Sequence, residues 1–136
     1  MRIAIIGAGP AGIAAGHELL QQGFNEFTIF DALDAPGGTW RLHSYPGLAC
    51  DVWAHSYAFS YAPNPDWSAS FVGFAEIQAY LADCATRFGL DPHLQLNTRI
   101  TRAEYVEPGH WRLESANGPL GDFDILINAM GNQHTP

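Results

Sequence analysis

Three glycines near the N-terminus, Gly7, Gly9 and Gly12, have a spacing suited to binding a dinucleotide. They follow an apolar run and open a helical pattern, and Asp31 comes about twenty residues after the last of them. The pyrophosphate would lie at the helix N-terminus, where free N–H groups and the helix dipole favour negative charge. Asp31 would accept hydrogen bonds from the ribose hydroxyls. The alternative is a βα turn with incidental glycines and a surface aspartate, and the strand–turn–helix context favours the dinucleotide site.

Two later loops could also contact a ligand. In the first, Gly37 and Gly38 allow a second close approach, Thr39 supplies a hydroxyl, and Trp40 supplies an apolar wall. The alternative is a turn whose tryptophan fills the core, and the residues alone support both interpretations equally. The second loop, at 45–57, combines Asp51 with glycine and aromatic residues; its spacing alone favours a solvated carboxylate among packing aromatics.

The elements that must position these residues follow from hydrophobic periodicity. Apolar runs and helical spacing predict strands at 2–6, 27–30, 94–97 and 123–130, and helices at 10–22 and 73–88. They also predict a hairpin at 100–106 and 111–115, with Pro108-Gly109 as its turn and Asn117-Gly118 as the next turn. The fold class is α/β and Rossmann-like: a parallel sheet of about four strands with helices, and a β-meander inserted before the last strand.

Two details of packing are also expected. Small residues should form the sheet-facing side of the first helix, and these are Ala11, Ala14 and Ala15, followed by Leu19. The nearly continuous apolar run at 123–130 predicts a strand buried on both faces. The segment 32–71 has no sustained period, and so long an irregular segment in a compact domain is usually functional.

Composition excludes several classes of function. The 136 residues carry a net charge of -8, which argues against a nucleic-acid partner because such binding needs a basic patch. The six histidines lack metal-ligand spacing, and the two cysteines form no CxxC motif. We therefore expect no metal, and we expect reduced thiols in the cytoplasm. The sequence contains no run of about 18 apolar residues, so it predicts no membrane-spanning helix.

The sequence resembles the class B flavoprotein monooxygenases, which include Baeyer–Villiger and flavin-containing monooxygenases. The similar stretches cover nearly the whole chain and are GAGPAG at 7–12, FDALDAPGGTW at 30–40, YPGLACD at 45–51, YAPNPDW at 61–67, EIQAYLADCATRFGL at 76–90 and ILINAMGNQHTP at 125–136. The resemblance implies FAD as the cofactor, NADPH as the reductant and a small organic substrate. The reaction it implies is oxygen insertion into a ketone or a heteroatom through a flavin C4a-peroxide.

The resemblance also implies roles for individual residues. Those that would contact the pyrophosphate or adenosine are Gly7, Gly9, Pro10, Ala11, Gly12, Asp31, Ile100 and Gly131. Those that would lie on the flavin side are Gly38, Thr39, Trp40, Asp51 and Tyr57, with Asp51 near the nicotinamide. Two positions depart from the family pattern: Met130 replaces a threonine, and Asp31 replaces the more usual glutamate.

Members of that family are several times longer than this chain. The resemblance therefore implies that residues 1–136 form a single, incomplete FAD-binding domain without an NADPH domain, and that its sheet ends in an unpaired edge. A separate polypeptide carrying the NADPH domain is a candidate partner. One alternative is a non-catalytic dinucleotide-binding module or subunit. Another is an NAD-binding domain of a different oxidoreductase, against which the Gly37–Trp40 loop argues.

Overall fold

The computed structural model describes residues 1–132, so His134 and the end of the stretch at 125–136 lie outside the described part. The strands and α-helices are β1 (Ile3–Ile6), α1 (Pro10–Gln21), β2 (Phe27–Phe30), α2 (Thr39–Leu42), α3 (Phe74–Arg87), β3 (Leu94–Gln95), β4 (Ile100–Val106), β5 (His110–Ser115), β6 (Gly118–Phe123) and β7 (Ile125–Asn128). Short 3₁₀ turns lie at Ala54–Ser56 and Asp91–His93. No helix within residues 1–132 is long and apolar enough to cross a membrane.

The central sheet has four parallel strands in the order β3-β2-β1-β7. In register, Ile3 of β1 lies opposite Phe27 of β2 on one side and Ile125 of β7 on the other. This confirms the predicted α/β class and the parallel sheet of about four strands. The carboxyl ends of β1, β2 and β7 therefore open at the same edge, which is where ligands bind in folds of this type.

The inserted meander forms a separate antiparallel sheet in the order β4-β5-β6. Its turns fall at the predicted Pro108-Gly109 and Asn117-Gly118 positions. Leu113 and Phe123 pack against Ala4 and Phe30 of the parallel sheet, and the two phenylalanine rings meet edge to face at 5.8 Å. The meander thus covers one face of the parallel sheet, while α1 and α3 cover the other.

The helix face that meets the sheet differs in part from the prediction, since Ala15 and Leu19 pack against the main core as expected but other residues form its centre. Gly12, Ile13 and Gly16 are the buried residues of α1, whereas Ala11 is exposed. A Cβ on Gly16 would come within 2.9 Å of the Ile29 side chain. Small residues do lie at the close helix–sheet contact, but they are Gly12 and Gly16. Ile13, between them, fills the core.

The prediction that the last strand is buried on both faces is wrong in this chain. β7 is confined to Ile125–Asn128, and within residues 1–132 it pairs with β1 alone. Its first residue, Ile125, is 39% exposed. The apolar composition of this strand is therefore only partly used in contacts within residues 1–132. The expected unpaired sheet edge is present at β7.

The long segment between β2 and α3 is irregular but ordered. Its residues around Cys50 and Ala54 run beside residues 70–73, with backbone bonds from Cys50 N–H to the Val72 carbonyl (2.9 Å) and from Ala54 N–H to the Ser70 carbonyl (2.8 Å). Trp40 and Trp67 from this segment are buried in the main core. The segment therefore packs as part of the domain and lies against α3.

Candidate dinucleotide-binding site

A cavity of about 410 Å³ opens at the carboxyl ends of β1, β2 and β7. Six residues predicted for cofactor binding line it, and they are Gly7, Asp31, Gly38, Thr39, Ile100 and Gly131. Residues far apart in sequence are therefore brought to one place by the strand order. The cavity is surrounded by the carboxyl ends of three neighbouring strands and by the loop before β4.

The first glycine turn requires glycine at two positions for steric reasons. Gly7 has φ +107°, which side chains rarely adopt, and a Cβ there would overlap the Ala129 carbonyl. A Cβ on Gly12 would overlap the Gly7 carbonyl. Gly12 therefore lets the first turn of α1 lie against the backbone of its own βα turn.

The N-terminus of α1 is available to an anion. Gly9 is the N-cap, Pro10 occupies the first turn, no side chain caps the helix, and the first turn has no acidic residue. The first backbone bond of the helix runs from Ile13 N–H to the Gly9 carbonyl at 3.0 Å. The N–H groups of Gly9, Ala11 and Gly12 have no acceptor within residues 1–132, so they depend on water or a ligand. Pro10 and Ala11 lie at this end, as predicted for pyrophosphate contacts.

Asp31 lies at the end of β2 and bonds to the backbone. Its Oδ2 accepts from Ala8 N–H at 2.6 Å, and its Oδ1 accepts from Leu33 N–H at 2.8 Å. The carboxylate therefore ties the glycine turn to β2. Each oxygen keeps a further lone pair, so the same carboxylate can still accept from ribose hydroxyls.

The second glycine turn contacts the first one directly. Gly37 N–H donates to the Ala8 carbonyl at 2.9 Å, and a Cβ on Gly38 would come within 2.8 Å of the Gly9 Cα. Gly38 also has φ +58° and is the N-cap of α2. The close approach expected of these glycines is thus made to the first glycine turn as well as to the cavity.

An exposed ion pair closes the loop that carries this second turn. Arg41 donates to both carboxylate oxygens of Asp34, at 2.8 and 2.6 Å. The hydrogen bond from Arg41 lowers the pKa of Asp34, and the same bond raises the pKa of Arg41. Because both groups are exposed, water weakens their attraction. The ion pair therefore contributes little to stability and mainly links two positions of the loop.

Trp40 and Tyr57, both predicted for the flavin side, contact each other. The indole Nε1–H of Trp40 donates to the Tyr57 hydroxyl oxygen at 2.8 Å, with the rings edge to face at 5.5 Å. Trp40 is buried, and Tyr57 lines a second cavity of about 320 Å³ together with Pro10. Asp51 is exposed and does not line either cavity, so its position near a nicotinamide stays a prediction.

Several residues of the cavity were not predicted. Thr98, Arg99 and Leu42 line it. Within residues 1–132, Arg99 is the one cationic side chain in the lining. The Thr98 N–H donates to the Asp31 carbonyl at 2.7 Å, which brings the loop before β4 to the end of β2. For Thr98 and Arg99, the position directly before Ile100 was the one sequence signal of a place in the cavity. That signal depends on how the strands are arranged, which local sequence does not specify.

The chain is similar to known flavoenzymes along its whole length. It is 40% identical to a Baeyer-Villiger monooxygenase of Streptomyces coelicolor over 137 residues, which is 100% of this chain and 26% of that protein. It is 37% identical to an FAD-binding monooxygenase of Aspergillus terreus, covering 96% of this chain and 25% of the relative. The chain thus spans about a quarter of the length of these relatives.

Solved structures give the same result. Cyclohexanone monooxygenase from Rhodococcus sp. Phi1, in a crystal structure bound to NADP+, superposes with a TM-score of 0.87 at 33% identity. The match covers 96% of this chain and 25% of that one. The resemblance to flavoprotein monooxygenases, made from the sequence motifs, is confirmed. The family model of the NAD(P)-binding Rossmann-like domain matches residues 5–74, the part that contains both glycine turns and Asp31. The chain therefore belongs to the NAD(P)-binding Rossmann-like domain family.

Proposed function

We propose that this chain is the FAD-binding part of an NADPH-dependent flavin monooxygenase that inserts oxygen into ketones or heteroatoms. The observation that carries the proposal is the cavity at the carboxyl ends of β1, β2 and β7, with Asp31 on one side and an uncapped helix N-terminus beside it. A dinucleotide needs both features, since it has a ribose diol and a pyrophosphate at fixed separation.

The residues of the cavity fit FAD. Asp31 would accept from the adenosine ribose, and the N–H groups after Gly9 would bind the pyrophosphate. Ile100 and Gly131 would border the adenosine, and Thr39 with Leu42 would border the flavin half. When bound, FAD would supply the redox and oxygen-transfer chemistry. The protein residues would hold and orient it, with Leu42 of α2 and Ile100 of β4 as apolar parts of the cavity wall.

The relatives support the choice of cofactors and of reaction class. The Aspergillus terreus relative is named as FAD-binding, and the Rhodococcus structure contains NADP+. The Streptomyces coelicolor relative is named as a Baeyer-Villiger monooxygenase. By similarity we extend FAD to this chain, and we extend NADPH and a small organic substrate to the enzyme of which it forms a part.

We also propose that residues 1–136 are one incomplete FAD-binding domain. The free edge of β7 and the exposed Ile125 support this, since parallel strands are normally covered. Residues corresponding to the remaining length of the relatives would complete the sheet and bring the NADPH site, either in one polypeptide or as a separate partner. A reducing cytoplasm suits the two free, buried cysteines.

The test is a titration of the purified chain with FAD, FMN, AMP and NADPH, followed by flavin fluorescence and thermal shift. We expect FAD to bind more tightly than FMN, AMP to compete with FAD, and NADPH to compete weakly. FMN lacks the adenosine, so equal affinity for FMN and FAD would contradict the proposed site. Preference for NAD-type dinucleotides over FAD would favour a domain of another oxidoreductase. Tight FAD binding with no flavin reduction by NADPH, even after the complementary polypeptide is added, would favour a non-catalytic binding module.

A further inference from the structure

We infer that Gly38 is a positioning residue that sets the conformation of the phosphate-binding turn through contact with Gly9. This rests on the proposed function, and it assigns Gly38 a role different from direct contact with the cofactor. The two glycine turns belong to different loops, separated by α1 and β2. Their contact is therefore a tertiary one, which the local βα turn does not provide.

The steric constraint acts mainly at Gly38. A Cβ on Gly38 would lie 2.8 Å from the Gly9 Cα, closer than real Cβ atoms approach other atoms. A Cβ on Gly9 would lie 3.4 Å from the Gly38 Cα, which is an ordinary van der Waals contact. A side chain at position 38 would therefore displace Gly9, whereas a methyl group at position 9 would only touch Gly38. Gly9 is the N-cap of α1, so a displacement here moves the first N–H groups of the helix.

Hydrogen bonds on either side of this contact fix the position of the two glycine turns relative to each other. The Ala8 carbonyl accepts from Gly37 N–H at 2.9 Å, while Ala8 N–H donates to Asp31 at 2.6 Å. Ala8 is thus bound on both sides, by the second glycine turn and by the carboxylate at the end of β2. The phosphate-binding turn is held from β2 and from the loop before α2 at once.

A third element supports the second turn from outside. The Gln78 side chain of α3 donates to the Pro36 carbonyl at 3.4 Å, and its Cγ would lie 3.2 Å from a Cβ on Gly37. The turn is therefore packed between α3 and the phosphate-binding turn. A methyl group at position 38 can be accommodated only by moving Gly9 away from the pyrophosphate position.

The main test compares Gly38→Ala with Gly23→Ala. Gly23 also has a positive φ, +80°, but no atom lies within 4 Å of its would-be Cβ, so its substitution strains the backbone without a steric contact. FAD, ADP and AMP affinities are measured by calorimetry on both variants and on the unmodified chain. For Gly38→Ala we expect a loss of about tenfold or more for ADP and FAD, as for other small misplacements of a binding group. AMP should change by less than about threefold, because it lacks the second phosphate.

Spectroscopy of the ligand-free chain gives a second readout. The ¹H–¹⁵N resonances of Gly9 and Ala11 should shift in Gly38→Ala and remain in place in Gly23→Ala. Should Gly38→Ala fail to fold, Gly9→Ala tests the contact from the other side, since Gly9 has φ −78° and accepts a side chain. In that variant the Gly38 resonance should shift.

Three results would overturn the inference: unchanged ADP and FAD affinity in Gly38→Ala, equal losses in Gly38→Ala and Gly23→Ala, or an unshifted Gly38 resonance in Gly9→Ala. Failure of the unmodified chain to bind any nucleotide would instead refute the proposed function. The changes in the ¹H–¹⁵N resonances of the ligand-free chain would still decide whether Gly38 positions Gly9.

Discussion

Replacing Asp31 by alanine should weaken both the fold and nucleotide binding, by separable amounts. The carboxylate accepts from Ala8 N–H at 2.6 Å and from Leu33 N–H at 2.8 Å. Ala8 is fully buried, and its N–H would lose the carboxylate acceptor, at a cost of about 1–3 kcal/mol. The Leu33 N–H is partly exposed and its lost bond should cost about 0.5–1.5 kcal/mol. Together these give about 1.5–4.5 kcal/mol of unfolding free energy.

The loss in nucleotide affinity comes from the ribose contact and adds to this. Hydrogen bonds to a charged acceptor contribute about 1–3 kcal/mol, so the Kd for FAD should rise by a factor of about 5 to 150. FMN affinity should stay the same, because FMN has no adenosine ribose. Urea denaturation gives the first quantity and flavin fluorescence titration gives the second.

A matched control lies at the other end of β1. Asp124 Oδ2 accepts from Arg2 N–H at 2.6 Å, at an exposed site away from the cavity. Asp124→Ala removes the same kind of bond, and it should cost about 0.5–1.5 kcal/mol of stability without changing the Kd for FAD. If Asp31→Ala proved no more destabilising than Asp124→Ala, the argument from the buried Ala8 N–H would be refuted. Unchanged FAD affinity in a folded Asp31→Ala chain would refute the ribose contact.

Two further predictions concern loop anchoring. Tyr80 donates to the Ala62 carbonyl and accepts from Phe59 N–H, so Tyr80→Phe should lower the unfolding free energy in urea by about 1–3 kcal/mol; an unchanged midpoint would contradict this. Because Arg41 lowers the pKa of Asp34, their contribution to stability is present above the ordinary carboxyl pKa and is lost as the pH falls through the lowered one. The stability difference between the unmodified chain and Asp34→Asn should therefore narrow in acid, and a difference independent of pH would refute the linkage.

The sequence predicted best what depends on neighbours along the chain. The strand, glycine turn and helix from Ile3 to Gln21 follow from local rules, because Gly7 needs a positive φ and Pro10 suits a first turn. Asp31 was found because the distance across one βαβ unit is nearly constant. The turns of the meander were likewise predicted from local turn residues.

Tertiary contacts account for what was not predicted. The contact of Gly38 with Gly9 and the bond from Trp40 to Tyr57 join loops whose relative position depends on the whole fold. The helix face was assigned to alanines, although two glycines and Ile13 form it, because residue size alone does not fix the rotation of a helix. The exposure of Ile125 could not be predicted from the composition of the strand. An apolar strand is able to be buried on both faces, but the elements that surround it determine whether it is.

A chain with a net charge of -8 can still bind an anionic dinucleotide, because the attraction is local. The acids are mostly on the surface, where water and salt screen them over roughly 10 Å. At the proposed pyrophosphate position, by contrast, backbone N–H groups at the start of α1 would donate to the ligand, and the first turn of the helix contains no acidic residue. Asp31 is near, yet two backbone N–H groups already share its charge, and in the proposed site it would accept from the ribose. The positions of the glycines and of Asp31 therefore decide binding here, and the net charge does not.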